Sequence, residues 1–242
     1  MGATPRETAA AIDLSDLPSG NDERFAGYGI MAQPFRSGHV LAVRRFPHNT
    51  IGAAYTSVWH CDPDGRWTMW NDAPPTRSCP RYFGPALAAV ETTPIEIRWP
   101  DPWTVHVGID GVLDWRTTTA PTPATRVMTA VGSRLPDALW RNRLVLAGMG
   151  RMAGWMLRAG TVRLQGTVPS RQWFRVKIPR VWGVADVTAV LHGEPLGPPG
   201  PIDRQRWLGG FALPNRGLFA IGRVTLETYR PDRHVQTVPA EP

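Results

Sequence analysis

Lysine is almost absent from this chain of 242 residues: Lys177 is the only one, and the other 26 of the 27 basic residues are arginine. Such an arginine bias is typical of a GC-rich genome, for example that of an actinobacterium. The formal net charge of +7 raises the alternatives of a nucleic-acid or anionic-lipid partner. The arginines are scattered, however, with no run of three or more. We therefore expect a solvated basic surface and no nucleic-acid partner.

Cysteine and long apolar runs are also scarce. The two cysteines, Cys61 and Cys79, are fewer than a secreted disulfide scaffold usually contains. The first 21 residues lack the apolar core of a signal peptide, and no stretch of 18 residues is both apolar and uncharged. We therefore expect a cytoplasmic protein with reduced thiols, no signal peptide and no membrane-spanning segment.

Proline and glycine are abundant, at 25 and 24 residues, and most of them separate short apolar runs. This punctuation favours many short strands joined by turns. We predict a mainly β fold, either a lipocalin-like β-barrel or two fused β lobes, with one long helix at about residues 136–159. The predicted division is a mobile tail at 1–24 with a helical turn near 8–12, a β-rich lobe at 25–131, a connecting helix at 132–160, a second β-rich lobe at 161–230 and a tail at 231–242.

Two hairpins carry the clearest strand signals. The runs 55–60 and 67–70 flank the turn Asp62-Pro63-Asp64-Gly65, and the runs 103–109 and 112–119 flank Asp110-Gly111. Further strands are predicted at 38–46, 93–99, 162–168, 173–178, 181–189 and 218–229, with short ones at 81–83 and 125–131.

Ionisable residues alternate with apolar ones inside the predicted strands of 93–119. Glu96, His106 and Asp114 lie on the faces opposite the main apolar residues. If that polar face lines a barrel cavity, the three side chains converge as candidate catalytic residues, because a carboxylate beside an imidazole suits general acid–base chemistry. The alternative is that they are ordinary outward-facing polar residues.

Tryptophan is unusually frequent, with eleven in the chain. Aromatic side chains with a few polar neighbours are typical of small-molecule pockets in β-barrels. The alternative is a large hydrophobic core. The candidate ligand-binding residues are Trp59, His60, Trp67, Trp70, Tyr82, Trp99, Trp115 and Trp173.

The predicted helix admits two further hypotheses. Gly148, Gly150 and Ala153 match the G-x-G-x-x-A pattern of dinucleotide-binding turns, which would require a strand before the match and a helix after it. Small residues that allow close helix packing explain the same pattern. The arginines and methionines of this helix suggest transient contact with an anionic membrane, whereas such a helix more often covers a sheet.

The six histidines show no metal-ligand spacing, so we expect no metal.

Two segments resemble a known family. Residues 217–229, GLFAIGRVTLETY, resemble the closing strand of the lipocalin-like group that includes carotenoid 1,2-hydratases and tocopherol cyclases, and residues 160–166, GTVRLQG, resemble an earlier strand of that group. The resemblance implies two lipocalin-like β lobes around a hydrophobic ligand. It also implies chemistry on polyenes or polyketides that often needs no cofactor.

These observations together predict that the protein binds a hydrophobic small molecule, such as a polyene, polyketide or terpenoid, in an aromatic cavity. We expect it to catalyse cyclisation, isomerisation or hydration in the biosynthesis of natural products without a cofactor, by holding the substrate in a reactive conformation. The alternatives are a non-catalytic carrier and an NAD(P)-dependent reductase that uses Gly148 and Gly150. Either a monomer or a homodimer is consistent with the sequence.

Overall fold

A computed structural model of the protein describes residues 3–14, 17 and 19–237, and within them the fold is mainly β, as predicted. Short apolar runs bounded by proline and glycine form most of the strands. The strands are β1 (Glu23–Pro34), β2 (Val40–Asn49), β3 (Tyr55–Cys61), β4 (Trp67–Asn71), β5 (Ala89–Thr92), β6 (Glu96–Arg98), β7 (Thr104–Ile109), β8 (Leu113–Ala120), β9 (Gln165–Thr167), β10 (Trp173–Leu191), β11 (Glu194–Pro195), β12 (Trp207–Leu208), β13 (Phe211–Ala212) and β14 (Leu218–Leu226). The α-helices are α1 (Pro5–Asp13), α2 (Pro80–Phe83), α3 (Pro123–Arg134) and α4 (Arg143–Met156), and short 3₁₀ turns occupy Pro75–Arg77, Gly84–Ala86 and Leu139–Arg141.

One curled sheet of twelve strands joins both halves of the chain. Its strand order is β5-β4-β3-β2-β1-β14-β10-β8-β7-β6, and β9 and β11 add to β10. The C-terminal strand β14 pairs antiparallel with both β1 and β10, so the last long strand lies between the first strand and the longest one. The predicted separation into lobes 25–131 and 161–230 is therefore wrong, because these long-range pairings place strands from both segments in the same sheet.

Glycines mark the point where the sheet bends. Gly27 of β1 faces Gly222 of β14 in the register. A Cβ on Gly27 would lie 2.0 Å from the Arg45 carbonyl oxygen, and one on Gly222 would lie 2.2 Å from the Lys177 carbonyl oxygen. The register of β1 with β2 and that of β10 with β14 both shift beside these residues. Glycine therefore permits the close backbone approach that the curl requires.

Two apolar cores lie on the two faces of the central strands. In the first core, Leu41, Val43 and Val58 pack with residues of β7, β8 and β10, including the fully buried Trp115. In the second core, residues of β2 and β3 pack with α2, the start of β10 and the segment 208–213, which includes part of β12 and all of β13. All seven residues of β3 are buried because both of its faces are covered.

The helical segments differ most from the sequence prediction. Residues 125–131, predicted as a strand, belong to α3, which begins after Thr122: its hydroxyl accepts a hydrogen bond from Thr125 N, and Pro123 occupies the first turn. Residues 81–83, also predicted as a strand, belong to α2. The long helix predicted at 136–159 is shorter, because Asn142 caps α4 by accepting hydrogen bonds from Leu144 N and Val145 N.

The segments predicted as tails make ordered contacts with the sheet. Residues 5–13 form α1, in which Thr4 and Glu7 form a capping box and Ala9 is buried in the first core. Near the C-terminus, His234 is buried and Val235 N donates to the Ser170 carbonyl oxygen at 3.0 Å. The predictions of a mobile tail are therefore wrong for these residues; residues 1, 2, 15, 16, 18 and 238–242 lie outside the described part of the chain.

Candidate functional site

A cavity of ≈ 140 Å³ lies inside the curl of the sheet. Strands β1, β2, β3, β10 and β14 form its wall, and α2, residues 162–164 and residues 211–214 close it. The lining is largely aromatic, with Phe25, Tyr28, Phe46, Tyr55, Trp59, Tyr82, Phe83, Phe174 and Phe211. Several of these rings meet edge to face, which makes the wall rigid as well as apolar.

Arg44 is the buried charged residue of this wall, with only 7% of its surface exposed. Its guanidinium donates to the carbonyl oxygens of Ile30 and Met31 at 2.5 and 2.8 Å, and to its neighbour Val43 at 3.0 Å. No carboxylate among the described residues forms an ion pair with it. Burial lowers the pKa of Arg44 from 12.5 to about 10, so the side chain stays positively charged at neutral pH.

Trp59 lies directly beside this charge. The guanidinium carbon of Arg44 is 4.9 Å from the centre of the Trp59 ring, a cation–π contact. The indole Nε1 of Trp59 is buried and forms no hydrogen bond of ordinary geometry within the described structure, although the weakly accepting Cys79 sulfur interacts with it. A buried donor without a strong acceptor is unusual and calls for an explanation. The cavity wall therefore holds a guanidinium and a weakly satisfied N–H group next to each other.

Three other buried polar groups of the wall are neutral at physiological pH. The Tyr55 hydroxyl lies 3.8 Å from the Cys79 sulfur, and burial raises the pKa of both groups. The Tyr82 hydroxyl donates to the Glu23 carboxylate at 2.6 Å, and its pKa is raised first by burial and then by that carboxylate. Tyr55, Cys79 and Tyr82 are therefore protonated and act as donors, and none of them is a ready base.

The predicted ligand-binding residues are divided between the cavity and the rest of the molecule. Trp59 and Tyr82 line the cavity. The other six do not. Trp70, Trp99 and Trp115 pack in or against the first core, and Trp67 packs in the second core, where its Nε1 donates to the Trp207 carbonyl oxygen. His60 points away from the cavity and stacks on Trp70, and Trp173 lies near the surface under Arg143. Core packing, the alternative weighed for the tryptophans, thus accounts for most of them.

The predicted catalytic residues share one face, but that face is the solvent side of the sheet. Glu96 forms an ion pair with Arg98, which holds the pKa of Glu96 below its usual value. His106 Nε2 lies 3.3 Å from the Asp114 carboxylate, whose side chain is 74% exposed. Glu96 and Asp114 border an open depression at the sheet edge, and none of the three residues lines the aromatic cavity. The apolar face of these strands is the one that is buried, so the three side chains do not meet in that cavity, and their catalytic role stays a prediction.

The glycine pattern in α4 serves packing. Gly148 and Gly150 lie within one continuous helix, and no strand precedes them, so the dinucleotide-binding turn is not formed. A Cβ on Gly150 would lie 2.5 Å from the Val162 carbonyl oxygen, whereas a Cβ on Gly148 would meet nothing within 4 Å. The reductase hypothesis loses its structural basis, and close contact between α4 and residues 160–164 explains Gly150.

Histidines meet on the opposite face of β3 from the cavity. His39 Nδ1 and His60 Nε2 are 2.8 Å apart, and the His60 ring stacks on Trp70. Burial, reinforced by His39, lowers the pKa of His60 to about 4. Within the described residues, no group of three or more His, Cys, Asp or Glu side chains is arranged to hold a metal ion.

Arg44 was missed as a site residue, although the sequence carries a signal for it. The alternation of β2 places Val40, Ala42 and Phe46 in the second core, and Arg44 lies on the same face. A charged residue inside such an apolar alternation is a candidate for a buried role. The Arg44–Arg45 pair concealed this signal, because Arg45 lies on the other face and pairs with Asp72.

Comparison with known proteins finds only distant similarity. No protein-family model and no curated protein matches the chain. Among solved structures, the chain is similar to an acetoacetate decarboxylase from Legionella pneumophila, with 12% identity and a TM-score of 0.44 over 94% of this chain and 96% of that one. A second structure, from structural studies of acetoacetate decarboxylase, has 11% identity and a TM-score of 0.40 over 87% and 88% of the two chains. At these values no activity is carried over, and the resemblance to the lipocalin-like group stays a prediction.

No described helix is long and apolar enough to cross a membrane.

Proposed function

We propose that the protein binds a small hydrophobic molecule with a carboxylate group in the cavity beside Arg44. The apolar body of the ligand would contact the aromatic wall. The carboxylate would accept hydrogen bonds from the Arg44 guanidinium and from Trp59 Nε1. This retains the predicted class of hydrophobic ligand and adds an acidic group to it.

The unpaired charge of Arg44 carries this proposal. Burying an ion without a counter-ion is unfavourable by several kcal/mol, roughly, even when carbonyl oxygens accept its hydrogen bonds. A ligand carboxylate would supply the missing counter-charge, and the flat fork of arginine suits a carboxylate better than any other basic side chain does. The Trp59 N–H, whose partner among the described residues is the weakly accepting Cys79 sulfur, supports the same conclusion because it offers a second donor at the same place.

The size of the cavity narrows the ligand class. A cavity of roughly 150 Å³ in another protein accommodates benzene, and this one measures ≈ 140 Å³. The cavity therefore accommodates about one six-membered ring, and because it is partly open, the short acidic chain of an aryl acid such as phenylacetate can extend from that ring. We accordingly propose a small aryl acid in place of the long polyene or terpenoid expected from the sequence.

The polar groups of the wall favour binding over conversion. Isomerisation by proton transfer needs a group that removes a proton, and the neutral Tyr55, Cys79 and Tyr82 do not provide one by themselves. The non-catalytic carrier is thus the first form of the proposal. Conversion of the ligand is a second candidate, which rests on the hydrogen bond from Tyr82 to the Glu23 carboxylate: the carboxylate would accept the Tyr82 proton while the Tyr82 oxygen takes one from the substrate or from a water molecule.

A pair of matched probes tests the proposal. Phenylacetate and its neutral isostere phenylacetamide are added to the purified full-length chain, and the unfolding temperature is recorded. We expect stabilisation by the acid and little by the amide, since a ligand at a concentration 100 times its Kd adds about 2.7 kcal/mol. Arg44→Met should abolish the acid-specific shift, and Trp59→Phe should reduce it.

Arg45→Met is the control, because Arg45 is the adjacent arginine on the opposite face. Equal shifts by acid and amide, or an unchanged acid shift in Arg44→Met, would contradict the proposal. Analysis of the recovered ligand by mass spectrometry separates carrier from enzyme: a new product that disappears in Tyr82→Phe would favour conversion through the Tyr82–Glu23 pair.

A further inference from the structure

The outer face of α4 exposes large apolar side chains. Leu144 and Trp155 are 84% and 81% exposed, and among the described large apolar residues only Leu14, at 88%, is more exposed. They are eleven residues apart, which places them on one side of a helix together with Gly148 and Arg151. We call Leu144, Gly148, Arg151 and Trp155 the outer face of α4. The opposite side of the helix packs on the protein through Leu146, Met149 and Ala153.

The surroundings of this face are strongly basic. Residues 138–185 contain no acidic residue and nine basic ones: Arg141, Arg143, Arg151, Arg158, Arg163, Arg171, Arg175, Lys177 and Arg180. Two of them are neutralised from outside the segment, since Lys177 pairs with Asp137 and Arg175 pairs with Asp22. Arg141, Arg143, Arg151 and Arg158 are exposed on or beside α4, and none forms an ion pair with a described carboxylate.

We propose that the outer face of α4 binds the surface of a membrane that contains anionic lipids. An exposed tryptophan and leucine among unpaired arginines fit such a surface, because the indole settles at the level of the headgroups while the arginines meet lipid phosphates. A nucleic acid would satisfy the arginines but would offer Leu144 no apolar environment. The apolar side of α4 is already buried in the fold, so binding is shallow and sensitive to salt.

The position of α4 relates this surface to the cavity. Gly150 and Gly154 bring the helix against residues 160–164: a Cβ on Gly154 would lie 2.3 Å from the Gly160 carbonyl oxygen. Val162 and Leu164 contact α4 and also line the cavity. A membrane bound at the outer face would therefore lie one helix thickness from the cavity wall. Transfer of a hydrophobic acid from that membrane into the cavity rests on the proposed function. The membrane contact itself does not depend on it.

Co-sedimentation with lipid vesicles tests the contact directly. The full-length chain is mixed with vesicles of phosphatidylcholine alone or of phosphatidylcholine and phosphatidylglycerol in equal parts, at low and high salt. We expect sedimentation with the anionic vesicles only, decreasing as salt is added. Arg151→Glu/Arg158→Glu should weaken binding by more than about 25-fold, since each arginine near the surface contributes about fivefold. Trp155→Ser should weaken it at every salt concentration.

A second double variant, Arg77→Glu/Arg116→Glu, is the matched control. It changes the net charge by the same amount at exposed arginines outside α4 and its basic segment, and it should keep most of the binding. The proposal is overturned if both double variants lose binding equally, if neutral vesicles bind as well as anionic ones, or if no vesicle binds. Membrane binding without any ligand-induced stabilisation would leave this proposal standing while refuting the proposed function.

Discussion

Alanine substitutions at three glycines of α4 should have opposite effects on stability. Gly148 is exposed in the middle of the helix, and a Cβ there would contact nothing within 4 Å. Gly148→Ala should raise the free energy of unfolding by about 0.5–1 kcal/mol, because alanine loses less backbone entropy in a helix. Gly150→Ala and Gly154→Ala place a Cβ 2.5 and 2.3 Å from backbone carbonyl oxygens. Overpacking of this kind costs about 1–3 kcal/mol, which exceeds the helical gain.

Urea and thermal unfolding of the four proteins measure these differences. For a chain of this size, 1 kcal/mol corresponds to about 2–4 °C in Tm. Gly148→Ala should therefore unfold at a slightly higher temperature than the wild type, and the other two variants several degrees lower. Equal stabilisation by Gly148→Ala and Gly150→Ala would refute the close contact with Val162. If NADPH stabilised the wild type, and Gly148→Ala and Gly150→Ala both lost that stabilisation, the dinucleotide hypothesis would be supported again.

Two further predictions concern residues outside the cavity. The pKa of His60 is about 4 in the folded protein against an ordinary 6.5, so between these pH values the unfolded chain binds one more proton than the folded protein. The free energy of unfolding should therefore be independent of His60 above pH 6.5 and should fall by up to about 3 kcal/mol as the pH drops towards 4. In His60→Gln, urea unfolding across this pH range should show a shallower acid dependence, and an unchanged slope would contradict the assignment. Glu96→Gln/Asp114→Asn should leave phenylacetate binding unchanged within error in the same thermal assay used for Arg44, since both side chains lie on the solvent face; a loss of binding would reinstate the polar face as a site.

Local patterns predicted the parts of the sheet that local chemistry controls. The hairpin of β3 and β4 follows from the turn at Asp62–Gly65, and that of β7 and β8 follows from Asp110-Gly111. The alternation in residues 93–119 also correctly assigned side chains to faces: Leu113 and Trp115 are buried, and Asp114 is exposed. These features depend on neighbours in sequence, so a single sequence contains the information they need.

Two helix starts are recognisable in the sequence, although the first helix was predicted only as a turn near residues 8–12 and the second was predicted as a strand. Thr4 and Glu7 have the spacing of a capping box, and Thr122-Pro123 is a typical helix start. In residues 125–131 the β-branched Thr125, Val127, Thr129 and Val131 favoured a strand. Tertiary contacts favour the helix instead: Thr129 exchanges hydrogen bonds with Val181 of β10, and a Cβ on Gly132 would lie 2.6 Å from the Ile178 carbonyl oxygen.

The sequence by itself determined that this protein is a mainly β domain with an aromatic interior and a basic surface. The alternation of apolar and polar residues and the turn residues can be read directly from the sequence, because each acts over only a few neighbouring residues. Which face of each strand lines a cavity was decided by tertiary structure alone. It depends on the curl of the sheet, in which β14 pairs with β1 across about 200 residues and with β10 across about 35 to 52 residues. That curl turned Arg44 and Trp59 inward and left Glu96, His106 and Asp114 in solvent.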